Sequence, residues 1–159
     1  METTTKLSPR TVAAGEGKTL RVISDLVTWK ASAAETGGAY SLFETRTPVG
    51  GGTPPHLQRY EDEAFFVLSG TYTFLVDEEQ IEIGAGGYAF VPRDTVHAFS
   101  NNGAEEARML ILVTPGGIHE NFFAEVGVPV DAPMAAPDIP WMLGVAAKYG
   151  LEILPPAEG

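Results

Sequence analysis

Turn-forming residues divide this sequence into short pieces of a length typical of β-strands. Glycine occurs 18 times and proline 12 times, and both are spread along the chain instead of forming one linker. The pieces between them are rich in β-branched and aromatic residues, which favour strands. Eight candidate strands result, at residues 19–29, 40–45, 64–68, 71–76, 80–83, 88–91, 97–100 and 108–114. This near-regular spacing predicts an all-β chain folded as an antiparallel barrel or sandwich.

Helical patterning appears only late in the chain. Residues 121–126 predict one short helical turn, and residues 138–149 predict a longer amphipathic helix. Asp138 is the expected N-cap, Pro140 lies in the first turn, and Gly150 ends the pattern. The apolar face of this helix is predicted to consist of Ile139, Met142, Leu143 and Ala146.

The length of 159 residues is that of one domain, large enough to fold without disulfides or a structural metal. We expect an N-terminal arm at residues 1–18, followed by a β-barrel at residues 19–126. Residues 127–159 are predicted to form a C-terminal extension with one helix packed on the barrel.

The net charge excludes several classes of partner. Ten Lys and Arg stand against 21 Asp and Glu, which gives −11 at neutral pH. A chain this acidic repels phosphate backbones and anionic lipid, so neither nucleic acid nor a membrane is an expected partner. The sequence has no cysteine, no apolar stretch of membrane-spanning length and no secretory signal pattern. The expected location is the cytoplasm, and the expected partner is a small molecule.

Two short stretches carry the residues that could perform chemistry. In the first, a proline-stiffened loop presents His56 and Gln58, which lie on one face if the segment is extended, and the next strand starts at Glu63. In the second, His97 opens a strand. Imidazole and carboxylate together bind Fe, Mn, Co, Ni, Cu or Zn, and two histidines with one carboxylate leave positions open for substrate or dioxygen. An open metal site is the natural interpretation.

Both stretches resemble the two motifs of the cupin superfamily. The first motif, G-x5-H-x-H-x4-E-x6-G, is matched at Gly50, His56, Glu63 and Gly70. The second, G-x5-P-x-G-x2-H-x3-N, is matched at Gly86, Pro92, His97 and Asn101. Two positions differ, because Gln58 replaces the second histidine and Asp94 replaces a glycine. Asp tolerates left-handed backbone geometry, so the change at Asp94 is mild.

The resemblance implies a fold and a set of metal ligands. The implied fold is an antiparallel double-stranded β-helix, which is the jelly-roll or cupin barrel, here with a short C-terminal helix. The implied ligands are His56, Gln58, Glu63 and His97. The Gln58 amide oxygen is a weaker ligand than imidazole, so we expect lower metal affinity and a shift toward harder ions.

The stretch from 36 to 123 further resembles small single-domain cupins grouped with quercetin 2,3-dioxygenase. This implies a dioxygenase acting on a small aromatic or enolisable substrate, with Fe as the first choice of metal and Mn, Ni, Co, Cu or Zn as alternatives. Glu63 would be the catalytic base. Two other hypotheses remain open, because fold does not decide function. They are a non-redox cyclase, isomerase or lyase, which Gln58 favours, and a non-catalytic binding protein.

Several neighbouring residues receive roles from strand alternation and charge. Phe65 lies on the face of Glu63 and Phe99 on the face of His97, so both are expected to line the substrate pocket. Glu61 and Asp62 are expected on a solvated rim, and His119 is expected to be a structural hydrogen-bonding residue. A homodimer is expected, because the amphipathic 138–149 segment and the N-terminal arm offer surfaces that one monomer would leave uncovered.

Overall fold

The computed structural model describes residues 6–133, 136 and 138–154. Most of the described elements are strands, and the three helices are short. In chain order they are β1 Thr19–Val22, β2 Asp25–Ala31, α1 Ala33–Thr36, β3 Ser41–Thr47, β4 His56–Gln58, β5 Asp62–Ser69, β6 Thr71–Val76, β7 Glu79–Gly84, β8 Tyr88–Val91, β9 His97–Ser100, β10 Ala107–Thr114, α2 Ile118–Val126, α3 Ile139–Lys148 and β11 Leu151–Ile153.

The strands form two antiparallel sheets. One has six strands in the order β1-β2-β3-β10-β5-β8, and the other has five in the order β11-β4-β9-β6-β7. This arrangement, with α3 near the C-terminus, is the jelly-roll fold class that the sequence predicted. Non-consecutive strands lie side by side in both sheets, so residues far apart in the sequence become neighbours.

The core lies between the two sheets and follows from strand alternation. Along β10, Ala107, Met109, Ile111 and Val113 are buried while the residues between them are only half-buried. Strand β5 alternates in the same way and turns Glu63, Phe65 and Val67 inward. A charged residue therefore occupies an inward-facing position of β5 next to aromatic core residues.

The strand prediction needs three corrections. Residues 19–29 are not one strand but a hairpin of β1 and β2, whose turn includes Ile23 with a positive φ of 58°. This turn was missed because an apolar residue occupies a position that glycine or asparagine usually fills. Strands β4 and β11 were also missed, because three residues are too few to show alternation.

The helices differ from the predicted ones in extent and orientation. The Asp138 side chain accepts a hydrogen bond from Trp141 N, which confirms the predicted cap of α3. The predicted apolar face is only half right: Ala146 is fully buried and Met142 packs on the core, but Ile139 and Leu143 are exposed. The inward face is centred on Met142, Ala146 and Tyr149 instead. Helix α2 starts three residues earlier than predicted, and α1 was not predicted.

Two further observations concern the predicted domain boundaries and membrane association. β1 starts at Thr19, and β11, from the predicted C-terminal extension, pairs with β4. The division at residues 18 and 126 stays a prediction. Within the part of the chain that the structure describes, no helix has the length and apolar character needed to cross a membrane.

Candidate metal centre

Two strands of one sheet and one strand of the other bring His56, His97 and Glu63 together. Antiparallel pairing of β4 with β9 makes His56 and His97 direct neighbours, and their ring centroids lie 4.3 Å apart. Glu63 faces them from β5, and its Oε1 lies 3.5 Å from His97 Nε2. Each of the three residues offers one ligand atom, and these atoms all lie within 4.8 Å of one another. The three residues could therefore hold one metal ion.

Hydrogen bonds to the backbone orient both imidazoles toward this point. His56 Nδ1 lies 2.9 Å from the Pro54 carbonyl oxygen, and His97 Nδ1 lies 2.8 Å from the Thr95 carbonyl oxygen. A carbonyl only accepts, so each Nδ1 carries the proton and each Nε2 keeps a lone pair for a metal. His97 Nε2 and Glu63 Oε1 are buried and have no hydrogen-bond partner among the described residues. Their orphaned state fits a divalent transition ion, which accepts nitrogen and oxygen ligands.

The electrostatics of Glu63 and His56 suit metal binding, whereas His97 is held mainly by its attraction to the Glu63 carboxylate. Burial lowers the pKa of His56 to about 4, and the neighbouring His97 adds to this effect. Burial alone would raise the pKa of Glu63, but His97 and the other nearby imidazoles outweigh it and lower that pKa to about 2. Burial also opposes a charged His97, yet the Glu63 carboxylate raises the pKa of His97 above its ordinary value. Glu63 is thus ionised and His56 neutral, which are the ligand forms of both groups.

A second buried polar group lies beside these three residues. The Gln58 amide Nε2 is 3.2 Å from both ring nitrogens of His119, and His119 Nδ1 is 2.9 Å from Glu61 Oε1. All three side chains are buried. The expected rim position of Glu61 is therefore wrong, because its partner His119 draws the carboxylate inward. Burial alone would lower the pKa of His119, but the Glu61 carboxylate outweighs it and raises that pKa to about 9.

His119 makes the hydrogen bonds that the sequence predicted, but it also lines the cavity described below. Its ring stacks on Phe43 with centroids 5.9 Å apart and meets Phe123 edge-on at 5.0 Å. The adjacent Glu120 anchors α2, because its carboxylate accepts from Ala33 N at 2.6 Å and from the Ser41 hydroxyl. No local pattern in the sequence predicts that His119 contacts Gln58. The predicted role of Gln58 as a metal ligand stays a prediction.

The turns of the two motifs connect these strands. Asp94 has a φ of 65°, which confirms the left-handed conformation expected at this position. Asn101 is fully buried, and its side-chain amide donates to the carbonyl oxygens of Thr47 and Glu105. Its own carbonyl oxygen accepts from Gly50 N at 2.8 Å. The end of the second motif is therefore tied to the start of the first.

A cavity of about 90 Å³ is lined by His56 and Glu63, two of the four predicted ligands. His56, Glu63 and His119 contribute polar groups, and most of the remaining wall is apolar. Phe65 and Phe99 both line this cavity, and their predicted role in a substrate pocket stays a prediction. Residues of α2, α3 and β11 cover it, and the exposed Ile23 and Pro54 form part of its wall, so it opens to the surface beside them.

The sheets, the motif turns and the clustered ligands match a known family. Residues 43–113 match the family model described as "Cupin domain". This part of the chain is a cupin domain. A quercetin 2,3-dioxygenase of Bacillus subtilis (strain 168) is 28% identical to this cupin over 123 residues, which are 77% of this chain and 36% of that protein. The chain thus spans about a third of that relative's length.

Solved structures show the same fold. A predicted oxalate decarboxylase from Thermotoga maritima superimposes with a TM-score of 0.60 at 21% identity, covering 65% of this cupin and 97% of that chain. The polyketide cyclase RemF from Streptomyces resistomycificus gives a TM-score of 0.59 at 22% identity, covering 67% and 79%. At these identities the likeness concerns the fold alone.

Proposed function

We propose that this cupin is a metal-dependent dioxygenase that acts on a small aromatic or enolisable substrate in the barrel. The observation that carries the proposal is the convergence of His56, Glu63 and His97, with two buried ligand atoms that lack any other partner. The 28% identity to a quercetin 2,3-dioxygenase supports this choice of reaction. Iron is the proposed metal, with Mn, Ni, Co, Cu and Zn as alternatives.

The residues of the chain have separable roles in this proposal. His56, Glu63 and His97 hold the ion, which would supply Lewis acidity and a site for dioxygen. Glu63 is the catalytic base that accepts the proton of the substrate's hydroxyl or enol group. Phe65 and Phe99 contact the apolar part of the substrate and exclude water from it.

The cavity limits the size of the substrate. Its volume of about 90 Å³ is smaller than the roughly 150 Å³ cavity known to hold benzene. A flavonol therefore fits only if the covering elements α2, α3 and β11 move, or if part of the molecule stays in the mouth. Small enolisable carbonyl compounds fit more readily and belong in any substrate panel.

The test combines metal analysis with oxygen uptake. Protein purified without chelator, and protein reconstituted with Fe, Mn, Co or Ni, is assayed with quercetin and with small 1,3-diketones. We expect bound metal and substrate-dependent oxygen consumption. Glu63→Gln should weaken metal binding by at least 100-fold and abolish uptake, whereas the matched Glu82→Gln, on an exposed strand position, should behave as wild type. If no reconstituted form consumed oxygen, the proposed dioxygenase activity would be refuted.

A non-redox cyclase, isomerase or lyase is the second candidate. The buried group of Gln58, His119 and Glu61 favours this second candidate. It places additional polar side chains beside Glu63, and Gln58 occupies the position at which the family motif has a further histidine ligand. Such a reaction consumes no oxygen, so turnover of the same substrates under anaerobic conditions would identify it. Saturable binding without turnover in either atmosphere would point to a non-catalytic binding protein instead.

A further inference from the structure

A buried carboxylate lines the cavity at a distance from the candidate metal centre. Asp25 starts β2, is 6% exposed, and contributes to the cavity wall together with Thr45. In the six-stranded sheet, β3 and β10 lie between β2 and the β5 strand that carries Glu63. Three strand spacings amount to about 14 Å along the curved sheet. Asp25 and Glu63 therefore face different parts of the same cavity.

Hydroxyl groups, not cations, surround the Asp25 carboxylate. Thr45 and Thr47 both donate to Oδ2, at 2.8 and 3.0 Å, and Ser24 donates to Oδ1 at 3.2 Å. Among the described residues, no Lys, Arg or His side chain forms an ion pair with Asp25. A carboxylate has about four acceptor positions, so Oδ1 keeps room for another donor.

The fold itself does not require a buried carboxylate at position 25. A carboxylate buried without a cation costs free energy, and burial raises the pKa of Asp25 against the opposing effect of its three hydroxyl partners. An apolar residue would fill the same wall of the barrel without that cost. A hydrogen-bond donor on a bound molecule would use the remaining acceptor position and offset part of the desolvation.

We propose that Asp25 is a specificity-determining residue whose carboxylate accepts a hydrogen bond from a hydroxyl group of the substrate. This inference rests on the proposed function in one respect only, namely that the opposite end of the substrate binds the metal. The substrate class is accordingly an elongated, mostly apolar molecule that carries a hydroxyl remote from the group facing His56 and Glu63. Apolar molecules that lack this hydrogen-bond donor bind more weakly.

The test measures binding, so it does not depend on turnover. Fluorine NMR titrations compare 3-fluoropropan-1-ol with 1-fluorobutane, in which a methyl group replaces the hydroxyl; the two probes have equal numbers of non-hydrogen atoms, fewer than benzene, so size cannot explain a difference in binding. We expect 3-fluoropropan-1-ol to bind at least about 10-fold more tightly than 1-fluorobutane, since hydrogen bonds to charged groups have that strength. Asp25→Asn should remove most of this preference. The matched Thr45→Val variant removes one hydroxyl from the same network, keeps the carboxylate, and should retain the preference.

His97→Ala separates this inference from the metal proposal. If a metal ion recognised the hydroxyl of the probe, the preference would disappear in His97→Ala, whereas recognition by Asp25 survives that change. Equal binding of the two probes, no saturable binding of 3-fluoropropan-1-ol, loss of the preference in His97→Ala, or its retention in Asp25→Asn would each overturn the inference. Should Asp25→Asn fail to fold, retention of the preference in both His97→Ala and Glu63→Gln supports Asp25, and its loss in Glu63→Gln overturns the inference, because Glu63 is the other carboxylate on the cavity wall.

Discussion

At the scale of single residues, the two histidines of the candidate metal centre are oriented by the same local device. Each imidazole Nδ1 bonds the carbonyl oxygen two residues earlier in the chain, Pro54 for His56 and Thr95 for His97. Ring orientation is thus set within three residues. What brings the rings together is the pairing of β4 with β9, which depends on how closely the glycine loop before His56 approaches Phe99 and Ser100.

Substitution of Gly52 tests whether the loop must come this close to β9. A methyl group at Gly52 would overlap the Phe99 carbonyl oxygen, whereas one at Gly50 would meet nothing within 4 Å, and both residues have positive φ. We expect Gly50→Ala to cost about 1–2 kcal/mol from backbone strain alone. Gly52→Ala should cost more and also weaken metal binding, because the loop carrying His56 must move away from β9.

Urea unfolding and metal titration of the two glycine variants provide the measurements. The explanation would be wrong if Gly52→Ala were no less stable than Gly50→Ala and bound metal as wild type does.

At the scale of elements, the segment that follows α2 returns to close the barrel. Strand β11 pairs with β4 and so places Leu151 and Ile153 on the cavity wall, while α3 contributes Met142. Arg59, which follows β4, forms ion pairs with Glu152 of β11 and with Asp94. These pairs are exposed and add little stability. The cover is held mainly by apolar packing around Ala146 and Met142.

Two adjacent alanines of α3 test this packing. Ala146 is fully buried and Ala147 is exposed. Ala146→Leu should lower the free energy of unfolding by about 1–3 kcal/mol, because the larger side chain overpacks the contact between α3 and the barrel. Ala147→Leu should change it by less than about 0.5 kcal/mol. Denaturant unfolding of both variants checks the difference, and equal effects would show that α3 does not pack as described.

At the scale of the whole molecule, the surface combines strong acidity with an exposed aromatic area on the outer face of β5 and β8. Phe66 of β5 is paired with Tyr88 of β8, and Phe90 lies two residues further along the same face of β8. These three side chains are 44%, 60% and 53% exposed. Adjacent exposed aromatic residues on one outer sheet face are typical of an interaction surface. They support the predicted homodimer, which remains a proposal.

Light scattering measures the assembly state directly. We expect a mass of about twice the 16.9 kDa of one chain. Phe90→Glu should shift the mass toward the monomer, since it places a charge in the apolar face, whereas Val49→Glu alters an exposed apolar residue outside that face and should not. A monomeric wild type would contradict the prediction.

Several features could be predicted from the sequence because they depend on local pattern. Strand alternation placed Phe65 beside Glu63 and Phe99 beside His97, and the motif spacing identified the three residues that converge. Asp94 and Asp138 were assigned correctly because turn and cap chemistry involves only neighbouring residues. The sequence by itself thus determined the fold class and identified the candidate metal ligands, although the strand that carries His56 could not be predicted.

The tertiary structure alone decided the rest. Gln58 meets His119, 61 residues away, because α2 packs across the barrel and Glu120 fixes its start. Glu61 is buried for the same reason, and Asp25 reaches the cavity only because Ile23 turns β1 into β2. β4 and β11 form strands because they pair with each other, and β4 also pairs with β9. Each of these features depends on contacts between distant segments, whose free energy arises on packing and leaves no periodic trace in the sequence.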